Sequence, residues 1–200
     1  RQRRYLDAFR AHRTALDANT SDARVPVLYA RYCLRLRRIE EGLEVLAVAL
    51  EADCRPRSSL WWEKGRLEVE RGNWQAAAES FQSVLDESPE EGPSTGSPAA
   101  FSACLGLARS LVEMGQDQRA AAAIERARRL SVTAWEPSYW EGRSLLSKGE
   151  PTVALSAFET SARLCRESKM ELPGDLVAYR AVALGRSGKG EAALEALLAR

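Results

Sequence analysis

Five times along this 200-residue chain, a small residue opens the same register. The clearest copy runs Gly65, Gly72, Ala77, Phe81, Val84 and Pro89. Ala108, Gly115, Ala120, Ile124 and Ala127 repeat it, then Gly142, Gly149, Ala154, Phe158 and Ser161. Ala181, Gly188, Ala193, Leu197 and Arg200 follow at the C-terminal end. Upstream, Ala30, Arg37, Gly42, Leu46 and Ala49 fill the same slots, with arginine where the other copies have a mid-unit glycine. The opening residues are spaced by 35, 43, 34 and 39 positions. Self-similarity at such a period describes small units that bury their apolar faces by stacking on their neighbours.

Each copy reads as two amphipathic helices of about a dozen residues, apolar at i, i+3, i+4 and i+7. The mid-unit glycine provides the left-handed backbone that ends the first helix. The small residue inside the first helix lets the second approach closely. The Ala-x3-Phe pair lies on one face of the second helix, because residues four apart are neighbours there. A proline after that helix does not interrupt it.

This pattern resembles the tetratricopeptide repeat (TPR), a 34-residue helix–turn–helix with W-x2-L-G-x2-Y, A-x3-F and a late proline. Residues 58–91 carry most of the resemblance through Trp61, Gly65, Gly72, Ala77, Phe81 and Pro89, and depart from it at Lys64 and Glu68. The other units run over 23–56, 101–134, 135–168 and 174–200. The resemblance implies an all-α fold, a right-handed superhelical array of helix–turn–helix repeats. Residues 1–22 fall where the second helix of a preceding repeat would lie, with Ala8, His12 and Ala15 in its packing slots. "GPSTGSPAA", 92–100, is a loop insertion of turn formers between units, and "KMELP", 169–173, a shorter one. A start in mid-unit and the opening "RQRRYLDAF" are expected of an excerpt from a longer array.

Composition excludes more than it selects. The net charge is +1, so no bulk field calls for nucleic acid or a membrane. The charge is uneven: residues 1–57 hold 12 Arg against 8 acids, while 58–100 hold 3 basic residues against 8 acids. Of the 29 basic residues 25 are Arg, which matches either a composition bias or a use for forked carboxylate recognition. Cys33, Cys54, Cys104 and Cys165 are scattered, with no C-x-x-C, and His12 is the lone histidine. A Cys/His zinc site is therefore not expected, nor a Ser/His/Asp or Cys/His catalytic group. The glycine-rich 92–100 stretch lacks the Lys-Ser/Thr ending of a phosphate loop. Acidic pairs such as Glu40–Glu41 and Glu90–Glu91 read as solvated charges. No catalytic, metal or cofactor site is expected. Isolated thiols at apolar positions read as buried and reduced, which points to a cytoplasmic or nuclear setting.

The resemblance also implies where a partner would sit. In TPR arrays the first helices line a concave face, with contacts at positions 2, 5, 6, 9, 12 and 13 of each unit. Carried onto this chain, position 9 is Arg31, Arg66, Arg109 and Arg143 in four consecutive units, breaking at Val182. Positions 5 and 6 add Trp62, Tyr139, Trp140 and Tyr179. Position 2 adds Arg24 and position 13 adds Arg35. Such a column suits an extended ligand with carboxylates or phosphates at intervals, each gripped by two parallel hydrogen bonds. The other reading is a row of surface arginines paired with glutamates of neighbouring helices, with Trp62 and Trp140 packed between helices. The slots lack the Lys and Asn of TPR proteins that hold Glu-Glu-Val-Asp tails. The expected function is a non-catalytic scaffold or adaptor for another protein, through an acidic or phosphorylated segment or a partner helix. Two alternatives stay open: single-stranded nucleic acid on the same face, and a regulatory array within a larger enzyme.

Overall fold

A computed structural model of the chain describes residues 21–87 and 98–198. Among these residues there are ten helices and no strand. They fall into two compact units, divided after residue 92. The first contains α1 (Arg24–Arg35), α2 (Ile39–Glu51), α3 (Arg57–Arg71) and α4 (Trp74–Glu87). The second contains α5 (Pro98–Glu113), α6 (Asp117–Leu130), α7 (Glu136–Ser147), α8 (Pro151–Glu167), α9 (Gly174–Arg186) and α10 (Gly190–Leu198). Within each unit, successive helices pack in pairs, and the second helix of a pair also packs on the first helix of the next. Of the expected 92–100 loop, 98–100 form the first turn of α5, and the rest lies outside the described residues. So do Pro89, Glu90, Glu91, Arg200, and Ala8, His12 and Ala15 of the expected leading helix.

One backbone device ends the first helix of every pair. Gly72, Gly115, Gly149 and Gly188 all take left-handed φ values, between 67° and 79°. The following amide then reaches back to a carbonyl in the last turn, as from Asn73 to Glu68 at 2.9 Å and Glu150 to Leu145 at 3.0 Å. These are the terminal bonds of a Schellman motif, which satisfy carbonyls the helix leaves unpaired. Arg37 makes the same turn with φ 59°, and Arg38 donates to Cys33 at 2.8 Å. A side chain in the left-handed region costs about 1–2 kcal/mol, so this corner is held by its surroundings and not by local preference.

The small residue in the first helix is matched to the large one in the second. A Cβ added to Gly65 would lie 2.8 Å from Phe81, and one added to Gly142 would lie 2.6 Å from Phe158. Both distances are shorter than carbon atoms tolerate, so a phenyl ring demands glycine opposite. Where the same slot of the second helix holds Leu46, Ile124 or Leu197, the matching slot of the first helix holds Ala30, Ala108 or Ala181. Volume is thus compensated pair by pair, which is how a close-packed interior is kept filled. Gly42, which stands where the other units have alanine, has its own reason: a Cβ there would meet Leu67 at 2.9 Å and Cys33 at 3.0 Å.

The core of the first unit gathers Val27, Leu46, Leu60 and Leu67. That of the second includes a cluster of Tyr139, Leu155, Phe158, Leu176 and Leu184. All four cysteines are buried and unbridged, and burial pushes the Cys33 thiol up to about 12. These thiols are packing groups, closed to nucleophilic chemistry in the folded state.

Candidate functional site

In the first unit, the face of α3 that carries Leu60 and Leu67 also carries Glu63, since positions 60, 63 and 67 share one side of a helix. Glu63 is 1% exposed, and an isolated carboxylate at that depth would be costly. Two arginines from successive first helices resolve it. Arg31 of α1 donates from Nε to Oε1 at 2.6 Å, and Arg66 of α3 donates from Nη1 to Oε2 at 2.9 Å. Their side chains remain 51% and 40% exposed. One buried carboxylate therefore fixes two half-exposed guanidiniums and leaves the pair with net positive charge. Arg31 has both terminal nitrogens beyond its Nε contact.

In the second unit, the corresponding arginine is held differently. Arg143 of α7 donates from Nη2 to Glu113 of α5 at 2.7 Å, and from Nη1 towards the Tyr139 hydroxyl at 3.5 Å. Its guanidinium lies 4.1 Å from the Tyr179 ring centroid and 5.3 Å from that of Trp140. Tyr139 is the centre of the cluster, with Trp140 at 5.0 Å, Trp135 at 5.8 Å, Tyr179 at 6.0 Å and Phe158 at 6.1 Å between centroids. Several of these pairs meet edge to face, the arrangement the aromatic quadrupole favours. Arg143 is 17% exposed, so its charge is mostly spent on partners within the chain.

The remaining positions of the expected partner-binding set divide in the same way. Arg109 of α5 is exposed, as is Arg35 in the last turn of α1. Arg24 is exposed and tied to Asp22, its Nε at 2.6 Å from Oδ2. Trp62 is half-buried, its ring 5.4 Å from Phe81 of its own repeat. Trp140 and Tyr179 are half-buried. Tyr139 departs from the expectation of a partner contact. It is 6% exposed because four rings enclose it, so it supports Trp140 and Tyr179 from beneath. Burial pushes its phenol pKa up, against the opposing pull of Arg143.

Sequence reasoning missed Glu63 and Glu113. The signal for Glu63 was present: a carboxylate on an apolar stripe, with an arginine three residues on. Another buried acid of α3, Glu68, is answered less completely. Its Oε2 has no hydrogen-bond partner, and burial raises its pKa while Arg71 and Lys64 pull it back. No group of three or more His, Cys, Asp or Glu suited to a metal occurs among the described residues. No helix among them is long and apolar enough to cross a membrane.

Paired helices that repeat one turn and one packing contact define a helical repeat protein. The tetratricopeptide repeat family model matches residues 30–92 and 105–168, and the chain belongs to that family. Proteins of this family are generally non-catalytic scaffolds for protein–protein interaction. Among solved structures, the chain is similar to YrrB, described as a TPR protein with an unusual peptide-binding site. The two share 22% identity over 93% of this chain and 88% of that one, with a TM-score of 0.63. It is also similar to PilW, a type IV pilus biogenesis factor, at 18% identity over 96% and 82% of the two chains, TM-score 0.76. MamA from Desulfovibrio magneticus RS-1 matches at 17% identity over 88% and 91%, TM-score 0.67. No curated protein matches the sequence.

Proposed function

We propose that the chain is a non-catalytic adaptor whose first-helix face recognises an acidic or phosphorylated segment of another protein. The observation that carries this reading is the clamp at Glu63. Two guanidiniums, Arg31 and Arg66, are oriented by one buried carboxylate and still half-exposed. A guanidinium already fixed in place loses less entropy when it grips a ligand carboxylate, and Arg can offer two parallel bonds to it. Arg109 and Arg35 add exposed charge on first helices of the two units, and Arg24 adds charge at the start of α1. Trp62 offers half-buried aromatic surface for an apolar anchor of the same segment, and Trp140 and Tyr179 offer such surface within the second unit. Arg143 contributes by holding Trp140 and Tyr179 in place. The setting that suits such an adaptor is the cytoplasm or nucleus.

The test uses fluorescence anisotropy with a labelled acidic peptide and its phosphoserine counterpart. Arg66→Glu would set a second carboxylate against Glu63, so the neutral Arg66→Gln/Arg109→Gln variant is the better probe. Affinity should fall about tenfold or more, as loss of a charged contact of roughly 1.5–3 kcal/mol requires, while the thermal melt stays cooperative. Equal affinity in parent and variant overturns the proposal. Preference for single-stranded DNA, with affinity collapsing between low and moderate salt, would assign the face to nucleic acid instead.

A further inference from the structure

Two second helices turn opposite charge outward. α2 buries Leu43, Leu46 and Leu50, and its other side presents Glu44, Val48 and Glu51 as one stripe, since residues three and four apart are neighbours on a helix. Val48 is 61% exposed between the two carboxylates. Among the described residues, neither Glu44 nor Glu51 makes a hydrogen bond or an ion pair. α6 buries Ala120, Ala123, Ile124 and Ala127, and its other side carries Arg119, Ala122 and Arg126, the last half-buried. Arg119 donates to Gln116 at 2.7 Å, and neither it nor Arg126 has an ion pair among the described residues. The outward stripe of α4 is acidic too, but Glu79 and Asp86 each accept a hydrogen bond from a glutamine of their own helix, at 2.7 Å, and Gln82 stands between them. Only α2 sets an exposed apolar residue between two unpartnered acids.

We propose that α2 of one copy of this chain docks antiparallel on α6 of a second copy. The spacings match in that direction. Val48 lies four residues after Glu44 and three before Glu51, and Ala122 lies four before Arg126 and three after Arg119. Val48 therefore faces Ala122 when Glu44 faces Arg126 and Glu51 faces Arg119. The charges of each stripe are two turns apart, about 10 Å, so both ion pairs close together. The alanine leaves room for the valine at the centre of the crossing, where small side chains let two helices approach. Arg129, one turn beyond Arg126, falls opposite Glu40, which is 75% exposed in its pair with Arg71. Exposed ion pairs are individually weak, so the association is reversible and sensitive to salt. It uses the outward faces of second helices and does not rest on the first-helix reading.

Sedimentation equilibrium of the full chain at low salt is the test, with charge reversals on each side. The average mass of the parent should rise with concentration and fall back towards the monomer in about 0.5 M salt. Glu44→Arg/Glu51→Arg and Arg119→Glu/Arg126→Glu should each associate at least about tenfold more weakly, because like charges then face each other. An equimolar mixture of the two should associate again, since each reversed stripe meets its complement on the other variant. Thermal melts report that both variants fold, and their affinity for the acidic peptide should match the parent's. A mass that stops at the dimer indicates a closed pair with two such contacts, and one that keeps growing indicates an open series; either supports the contact. A parent that stays monomeric at low salt up to about 1 mM, the weakest affinity of use, overturns the proposal. So does a folded mixture that fails to recover association. A monomeric parent whose α6 arginines are needed to bind single-stranded DNA would overturn it as well, and assign that stripe to nucleic acid.

Discussion

The two units solve one problem with different chemistry. Each has an arginine at the same slot of a first helix, and each must hold that charge against a neighbouring repeat. The α1–α4 unit buries a carboxylate, Glu63, and lets Arg31 and Arg66 share it from the surface. The α5–α10 unit lays Arg143 over Tyr179 and Trp140 and pairs it with Glu113, which is 28% exposed. The first arrangement puts desolvation on the acid and leaves the cations available. The second puts it on the cation and leaves little to offer. Position in the repeat therefore does not decide which arginine keeps an exposed guanidinium; the residue beneath it does.

The comparison breaks most visibly if the two clamps are opened in turn. Arg31→Ala/Arg66→Ala strands Glu63 without a counter-charge and should destabilise the first unit by about 3 kcal/mol or more. Hydrogen exchange would report the loss in α1–α4 and leave α5–α10 protected. Adding Glu63→Leu to that variant should recover most of the loss, because an apolar side chain of similar size does not need the cations. Arg143→Ala should cost less, about 1–2 kcal/mol, since half-buried Glu113 is open to water once freed, the contact to the Tyr139 hydroxyl is long, and the cation–π stacking is the main loss. Equal losses for both clamps would remove the distinction.

A second contrast lies in the packing contact. Gly142→Ala should destabilise by about 1–3 kcal/mol despite alanine's better helix propensity, because Phe158 is fully buried and its ring stands in the way. Phe158→Leu in the same chain should restore much of that, by copying the Ala–Leu and Ala–Ile pairings of the other repeats. Denaturant midpoints would measure both. A double variant no more stable than Gly142→Ala would show that volume compensation is not what couples the pair.

The smallest expected effect is Glu68→Gln. Burial raises the Glu68 pKa, so the folded state holds its proton more tightly than the unfolded chain. Ionised Glu68 then opposes folding above its unfolded value, near the ordinary glutamate range. The variant should be more stable than the parent at pH 7, and the two should converge as pH falls through the ordinary glutamate range. Urea midpoints across that range would test the sign.

The repeat register, the helix pairs and the corner glycines could all be read in the sequence because each follows from local rules. A 3.6-residue period fixes the apolar face, left-handed backbone favours glycine, and a ring in one helix needs a small residue in the next. Arg37 was legible as a departure from the template, but the left-handed φ that it carries anyway was not, since surrounding structure overrides a local preference of only about 1–2 kcal/mol. The recurrence of arginine at one slot of four repeats was legible too. Its division was not: Glu63 lies 32 residues from Arg31 and Glu113 lies 30 from Arg143, so each clamp exists only once one repeat has stacked on the next. The same holds for Tyr139, enclosed by rings from three helices, and for Arg180, whose Nε is left without an acceptor by the packing of α9 beside α8. The sequence by itself determined which residues share a helix face. Only the tertiary structure decided which charges are spent inside the chain and which stay exposed, because desolvation depends on neighbours that sequence distance does not reveal.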